Sequence, residues 1–168
     1  MYSDKKIKIG KSTISNHHPT YFIADIAANH DGDLERAKEL IFLAKESGAD
    51  AVKFQHHDVT KYVSDKGFKT LGGKFSHQSK WEKSIFEVYK DAEVPMMWTS
   101  ELNEISKKLN IDFFSTPYDL DMVDHLDEYC SAYKIGSGDV AWNMMLEKVA
   151  KKINQYCLQQ ELQLFKKL

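Results

Sequence analysis

The 168 residues suffice for one domain with a sizeable core, and 42% hydrophobic with 29% charged residues is ordinary globular usage. A formal net charge of −2, with the lysines scattered among acids, gives no electrostatic basis for binding nucleic acid or an anionic membrane, so a small-molecule partner is expected. No apolar run approaches the roughly 18 residues of a membrane-spanning helix, and the polar N-terminus lacks a signal-peptide core, which predicts a cytoplasmic protein. Two cysteines, Cys130 and Cys157, are too few for a disulfide framework or a zinc site and are read as free thiols.

Residues 1–20 read as an N-terminal hairpin and linker. Ile7, Ile9 and Ile14 alternate around Gly10-Lys11 and predict a small plug or cap ahead of the main fold, and His17-His18-Pro19 is a solvated link. Residues 21–28 form a short apolar run that predicts a strand buried on both faces by parallel neighbours. Asp25 interrupts it, and a carboxylate there must be ion-paired or face a polar cavity. Asn29-His30-Asp31-Gly32 is the turn, Asp33 the N-cap of a helix to about Ser47 with Leu40, Ile41 and Ala44 on its apolar side, and Gly48 its stop. The unit then repeats. Ala51-Val52-Lys53-Phe54-Gln55 is a second strand whose period of two puts Lys53 and Gln55 on one face, where Asp25 and Lys53 would meet across one cavity.

Residues 56–98 make a long excursion, uncommon unless functional, with helical spacing at Ile85, Phe86 and Tyr89. His56, His57 and His77 are candidates to line the pocket. A third helix is expected from Thr99 or Ser100, capped by either hydroxyl, to Leu109. The third strand, 111–115, closes with Ser115-Thr116-Pro117-Tyr118, whose two hydroxyls suit phosphate or carboxylate oxygens. A short helix over 120–129, a strand over 133–136 carrying Lys134, and a helix from Trp142 to Lys152 complete the pattern. After that fourth strand, Gly136-Ser137-Gly138-Asp139 sets a hydroxyl and a carboxylate beside backbone N–H groups in a turn without obstructing Cβ atoms. Four strands alternating with helices, each strand ending in polar residues, predict an α/β fold: about four units of a partial (β/α)8 barrel with its site at the strands' C-terminal ends. A small doubly wound sheet is the competing architecture, although no G-x-G-x-x-G follows the first strand.

The ordered motifs Ile23-Ala24-Asp25-Ile26 with Asn29-His30-Asp31-Gly32, then Ala49-Asp50-Ala51-Val52-Lys53-Phe54-Gln55, Phe114-Ser115-Thr116-Pro117-Tyr118 and Tyr133-Lys134-Ile135-Gly136-Ser137-Gly138-Asp139 resemble the N-acetylneuraminate (sialic acid) synthase family over residues 7–152. The resemblance implies a barrel enzyme that condenses phosphoenolpyruvate with an open-chain N-acetylated amino sugar, typically N-acetylmannosamine. In that chemistry C3 of phosphoenolpyruvate attacks the aldehyde, water adds at C2 and phosphate leaves, assisted by divalent manganese or magnesium. Carried over position by position, Lys53, Thr116, Lys134 and Ser137 fall where the family holds phosphoenolpyruvate, and Gln55 and Asp139 where it meets the sugar. Asp25 matches an acidic position that is usually glutamate. The catalytic set implied is Asp25, Lys53 and Lys134. A Schiff-base aldolase using Lys53 or Lys134, and a non-catalytic anion-binding or assembly module, are the competing functions.

The resemblance also implies metal-holding histidines on later strands and a small antifreeze-like domain, neither with a counterpart here, so no metal site and no turnover are expected of this chain. Residues 153–168 depart from the family pattern. A permitted back-translation from Ile153 to Leu162, read from its third base, encodes Lys-Pro-Val-Leu-Phe-Ala-Thr-Gly-Ala, like the family's fifth strand, and predicts an out-of-frame tail; a natural amphipathic terminal helix is the alternative. A four-stranded half barrel would leave its first and fourth strands as edges, expose inward side chains at Ile23 and beside Val52, and self-associate.

Overall fold

The computed structural model describes residues 6–71, 81–152 and 155–158. Strands β1 (Ile7–Ile9) and β2 (Ser12–Ile14) form the expected antiparallel hairpin, paired Ile7 to Ile14 and turned at Gly10 with φ +52°. A parallel five-stranded sheet follows in the order β3 (Ile23–Ala27), β4 (Ala51–His56), β5 (Asp112–Pro117), β6 (Ala132–Ile135) and β7 (Gln155–Leu158). Helices α1 (Leu34–Glu46), α5 (Met96–Lys108), α6 (Leu120–Leu126) and α7 (Asn143–Ala150) connect successive strands, and the 56–98 excursion contributes α2 (Val59–Tyr62), α3 (Asp65–Leu71) and α4 (Ile85–Asp91). Parallel strands in chain order with helices between them make a partial (β/α)8 barrel.

Period-two alternation divides the strands between two cores. Val52, Phe54, Phe113, Tyr133 and Ile135 face outward and pack with Ala37, Ile41, Leu102, Leu126 and Met145 of the helices. Inward-facing Ala51, Phe114 and Ala132 form a smaller cluster that Ile9 of the hairpin completes. The hairpin is therefore a plug at the N-terminal ends of the strands, where Lys11 Nζ donates to Asn110 Oδ1 at 3.1 Å and, after the linker, the Tyr21 hydroxyl donates to Asp112 Oδ2 at 2.6 Å. Ala51, in that cluster, and Lys53 are both buried, contrary to the exposure expected on either side of Val52, while Ile23 does remain exposed.

Several boundaries differ from the sequence pattern. β3 is not buried on both faces, because it is the sheet edge and only Ile26 among its residues is buried. A bulge sets Asp25 opposite Lys53 but Ala27 opposite Phe54, which turns Ile26 toward the helices. α5 begins at Met96 behind Pro95, with no side-chain cap, so neither Thr99 nor Ser100 is the cap. α6 ends at Leu126 rather than at Tyr129. The sheet has five strands, not four: β7 pairs with β6, Ala132 opposite Gln155 through Ile135 opposite Leu158, so β6 is no edge and residues 155–158 are strand instead of helix.

Asp33 caps α1 as expected, its Oδ1 accepting from Glu35 and Arg36 N–H at 2.7 and 3.1 Å. Gly48, at φ +86°, ends the segment.

The plug gives a stability test. A Cβ at Gly10 would add a left-handed strain of about 1–2 kcal/mol and would stand 2.0 Å from the Asp112 carboxylate, whereas one at Gly138 meets nothing within 4 Å. Gly10→Ala is expected to lower the denaturant midpoint by the equivalent of about 2 kcal/mol or more, and Gly138→Ala to stay within about 0.5 kcal/mol of the parent. Equal midpoints for the two variants would remove the fastening role of the plug.

Candidate active site

The inward faces of β3, β4, β5 and β6 carry Asp25, Lys53 with Gln55, Thr116 and Lys134 toward their C-terminal ends. Asp25 and Lys53 are register partners on adjacent strands, and Lys53 Nζ donates to Asp25 Oδ1 at 2.9 Å. From two strands further along, Lys134 Nζ reaches the other oxygen, Oδ2, at 3.4 Å. Lys53 is 1% exposed while the Asp25 side chain is 52% exposed, so the carboxylate sits at the mouth and the buried ammonium reaches up to it. Burial lowers the Lys53 pKa most, Asp25 opposes that, and the like charge of Lys134 lowers it further.

After β6 the chain closes a 3-10 turn over Ser137–Asp139, the Asp139 N–H donating to Gly136 O at 3.0 Å. That N–H is therefore spent inside the turn instead of facing a ligand. Gly136 is required for another reason: a Cβ there would stand 2.9 Å from Asp139 Oδ2, which folds back over it. Burial raises the Asp139 pKa. The result is a cavity of about 330 Å³ lined by Asp25, Gln55, Lys134, Ser137 and Asp139, five of the seven expected residues. Lys53 and Thr116 are sealed behind them at 1% exposure each, and the Thr116 hydroxyl has no hydrogen-bond partner among the described residues.

Two lining residues carried no assigned role. Tyr118 ends the Ser-Thr-Pro-Tyr motif and accepts from Gln55 Nε2 at 3.2 Å; its position one residue past a polar strand end was the available signal. Tyr62 packs on it at a tilt of 54° with ring centroids 4.7 Å apart, and burial, with Tyr89 and Asp139 nearby, pushes its pKa up to about 12. Tyr62 lies on a one-turn helix that no periodicity marks.

Three expectations are corrected, the first two by strand alternation. Ser115 points away from the cavity, to the helix side, so Thr116 alone of the two hydroxyls faces inward. His56 also lies outside the cavity, fully buried, its Nδ1 2.7 Å from Ser115 Oγ and its Nε2 3.0 Å from Thr99 Oγ1. Thr99, expected as a cap, instead joins His56 to His125 at 3.0 Å on each side. His57 does border a pocket, while His77 lies outside the described residues. Among the described residues no three His, Cys, Asp or Glu side chains converge to hold a metal ion.

The NeuB family model matches residues 40–159, which include Lys53, Gln55, Thr116, Lys134, Ser137 and Asp139. The chain belongs to the NeuB family. Among its NeuB-like relatives, the N,N'-diacetyllegionaminic acid synthase of Campylobacter jejuni is 38% identical over 136 residues, 79% of this chain and 39% of that protein. The human N-acetylneuraminate-9-phosphate synthase is 34% identical over 140 residues, 83% of this chain and 38% of that protein. A crystal structure of N-acetylneuraminic acid (sialic acid) synthetase from Leptospira borgpetersenii serovar Hardjo-bovis in complex with citrate superimposes with a TM-score of 0.78 at 27% identity, over 95% of this chain and 51% of that one. The chain thus spans about two fifths of the length of these curated relatives. No described helix is long and apolar enough to cross a membrane.

His56 supplies a pH test. Burial, with His125, His57 and His30 adding like charge, lowers its pKa from 6.5 to about 3. Between those values the unfolded chain binds a proton that the folded chain does not, so stability is full above about 6.5 and falls as the pH drops toward about 3. The denaturant-midpoint difference between the parent and His56→Gln is expected to shrink across that window; a constant difference would show that His56 is not held neutral.

Proposed function

We propose that this chain carries the phosphoenolpyruvate half of a nonulosonate synthase site. The observation that carries the reading is the convergence of Lys53 and Lys134 on opposite oxygens of one carboxylate, Asp25, beneath a polar cavity. Two ammonium groups offset the charge of a phosphate and a carboxylate on one small molecule. The unpartnered Thr116 hydroxyl and Ser137 supply directional hydrogen bonds to the same anion. With the anion bound, the lysines turn to it, and Asp25 is released toward the acceptor sugar together with Gln55 and Asp139. Asp139, its pKa raised by burial, accepts or holds a proton at a sugar hydroxyl. The divalent metal used in this chemistry supplies Lewis-acid polarisation of the aldehyde; the described residues do not converge on a metal, and none of the steps assigned to them uses one.

A second reading rests on one specific observation. Lys53 is buried with a lowered pKa, the state in which a lysine forms a Schiff base. The hydrogen bond to Asp25 and the second lysine favour anion binding instead, because a nucleophilic amine must be free of a carboxylate's hold.

Calorimetry with phosphoenolpyruvate is expected to show saturable binding by the parent chain, lost in Lys53→Met. That variant is expected to remain as stable as the parent or more so, since it replaces a buried charge by an apolar chain. Affinity is expected to weaken as the pH rises through the lowered pKa of Lys53, earlier than an ordinary lysine would cause. We further propose that the 168-residue chain binds without turning over: phosphate release with N-acetylmannosamine and manganese stays at background, and metal-dependent release would overturn that point. Borohydride reduction in the presence of pyruvate is expected to leave the mass unchanged, and a trapped adduct would install the Schiff-base reading.

A further inference from the structure

A second cavity, about 240 Å³, opens beside the first and shares Gln55, Tyr62 and Tyr118 with it. The rest of its wall is Ala28, His57 just past the end of β4 and, from the excursion, Trp81, then Val88 and Tyr89 on α4 and Ala92 just beyond it. The rings meet edge to face: Tyr62 and Tyr89 at 5.5 Å and 61°, His57 and Tyr89 at 6.1 Å and 74°, His57 and Tyr118 at 6.0 Å and 88°. This wall offers aromatic faces and aliphatic carbons to a ligand. Its nearest polar groups are already engaged. His57 Nε2 donates to the Tyr89 carbonyl at 2.8 Å, and Lys61 and Lys90 on the flanking helices are paired with Asp121 and Glu93. Among the described residues no ammonium or guanidinium lines this compartment.

We propose that the aromatic compartment receives the far end of the acceptor sugar and selects one that ends in a methyl group, on a deoxy carbon or an acetamido substituent, over a hydroxymethyl or phosphate end. The proposal rests on the reading that the first cavity holds phosphoenolpyruvate and the reacting end of the sugar. The relatives' names bracket the choice, since one makes a diacetylated acid and the other a 9-phosphate. Because phosphoenolpyruvate contributes the first three carbons of the product, that phosphate lies on C6 of the sugar. A dianion there would be desolvated against tyrosine rings with no cation among the described residues lining the compartment, whereas each buried methyl carbon strengthens binding roughly fourfold.

The test is calorimetry and saturation-transfer NMR on the full chain with saturating phosphoenolpyruvate. The probes are N-acetylmannosamine and its 6-deoxy, 4-acetamido-4-deoxy and 6-phosphate analogues. At least one methyl-bearing analogue is expected to bind about fourfold tighter than the parent sugar, with the strongest transfer at that methyl, which identifies its source. Tyr89→Ala is expected to abolish the preference and Tyr89→Phe to keep it, while Val88→Lys moves the ranking toward the 6-phosphate. Equal affinities, tightest binding of the 6-phosphate by the parent chain, or no sugar binding beside saturable phosphoenolpyruvate would overturn the subsite alone. Absence of phosphoenolpyruvate binding would instead overturn the reading beneath it.

Discussion

A lysine ammonium with 1% exposure is tolerated here because a carboxylate on the next strand accepts its hydrogen bond at 2.9 Å. Removing water from an ammonium costs several kcal/mol, and that cost fixes much around it. Asp25 must stand opposite Lys53, so the register of β3 on β4 is set, and the bulge follows immediately, where Ile26 turns to the helix side and the chain leaves for α1. Lys134 then reaches the second oxygen, tying the edge strand to β6 across the inner face. Such a triad is a poor source of stability and a good source of specificity, because three charges on three strands are satisfied together in only one arrangement.

The inner and outer faces of the sheet use their polar groups differently. Outside, hydrogen bonds run from Ser115 through His56 and Thr99 to His125 and link β5, β4, α5 and α6. Inside, the Thr116 hydroxyl is left without a partner among the described residues at the same depth. A fully paired network fixes helices onto strands and gives a ligand nothing to hold, whereas an unpaired buried donor beside two ammonium groups carries a cost that an anion removes. The two faces meet in consecutive residues of one strand, Ser115 and Thr116.

The hairpin and the excursion close the two ends of this structure with different materials. Ile9 completes the apolar cluster of Ala51, Phe114 and Ala132 at the N-terminal ends, and Lys53, two residues after Ala51, is 1% exposed. At the other end the excursion brings Tyr62 and Tyr89 against Tyr118 and His57, so the polar cavity is bounded on one side by rings. Charged and hydroxyl groups of the strands thus line the polar cavity, and rings from the segment between β4 and α5 bound it.

Sequence alone determined the alternation of the first four sheet strands with helices, the hairpin ahead of them, the Asp33 cap and the meeting of Asp25 with Lys53. These follow from local rules: period two places Lys53 with Gln55, a capping carboxylate declares its helix, and a buried acid in an apolar strand demands a cation. The start of α5, the roles of Ser115, His56 and Thr99, the fifth strand at 155–158 and the aromatic wall were decided only by tertiary structure. Thr99 reads locally as a cap, but once two histidines are packed against it their hydrogen bonds outweigh the few tenths of a kcal/mol that propensity contributes. Tyr62 and Tyr89 are 27 residues apart and share no periodic pattern, so only the folded excursion puts their rings 5.5 Å from each other.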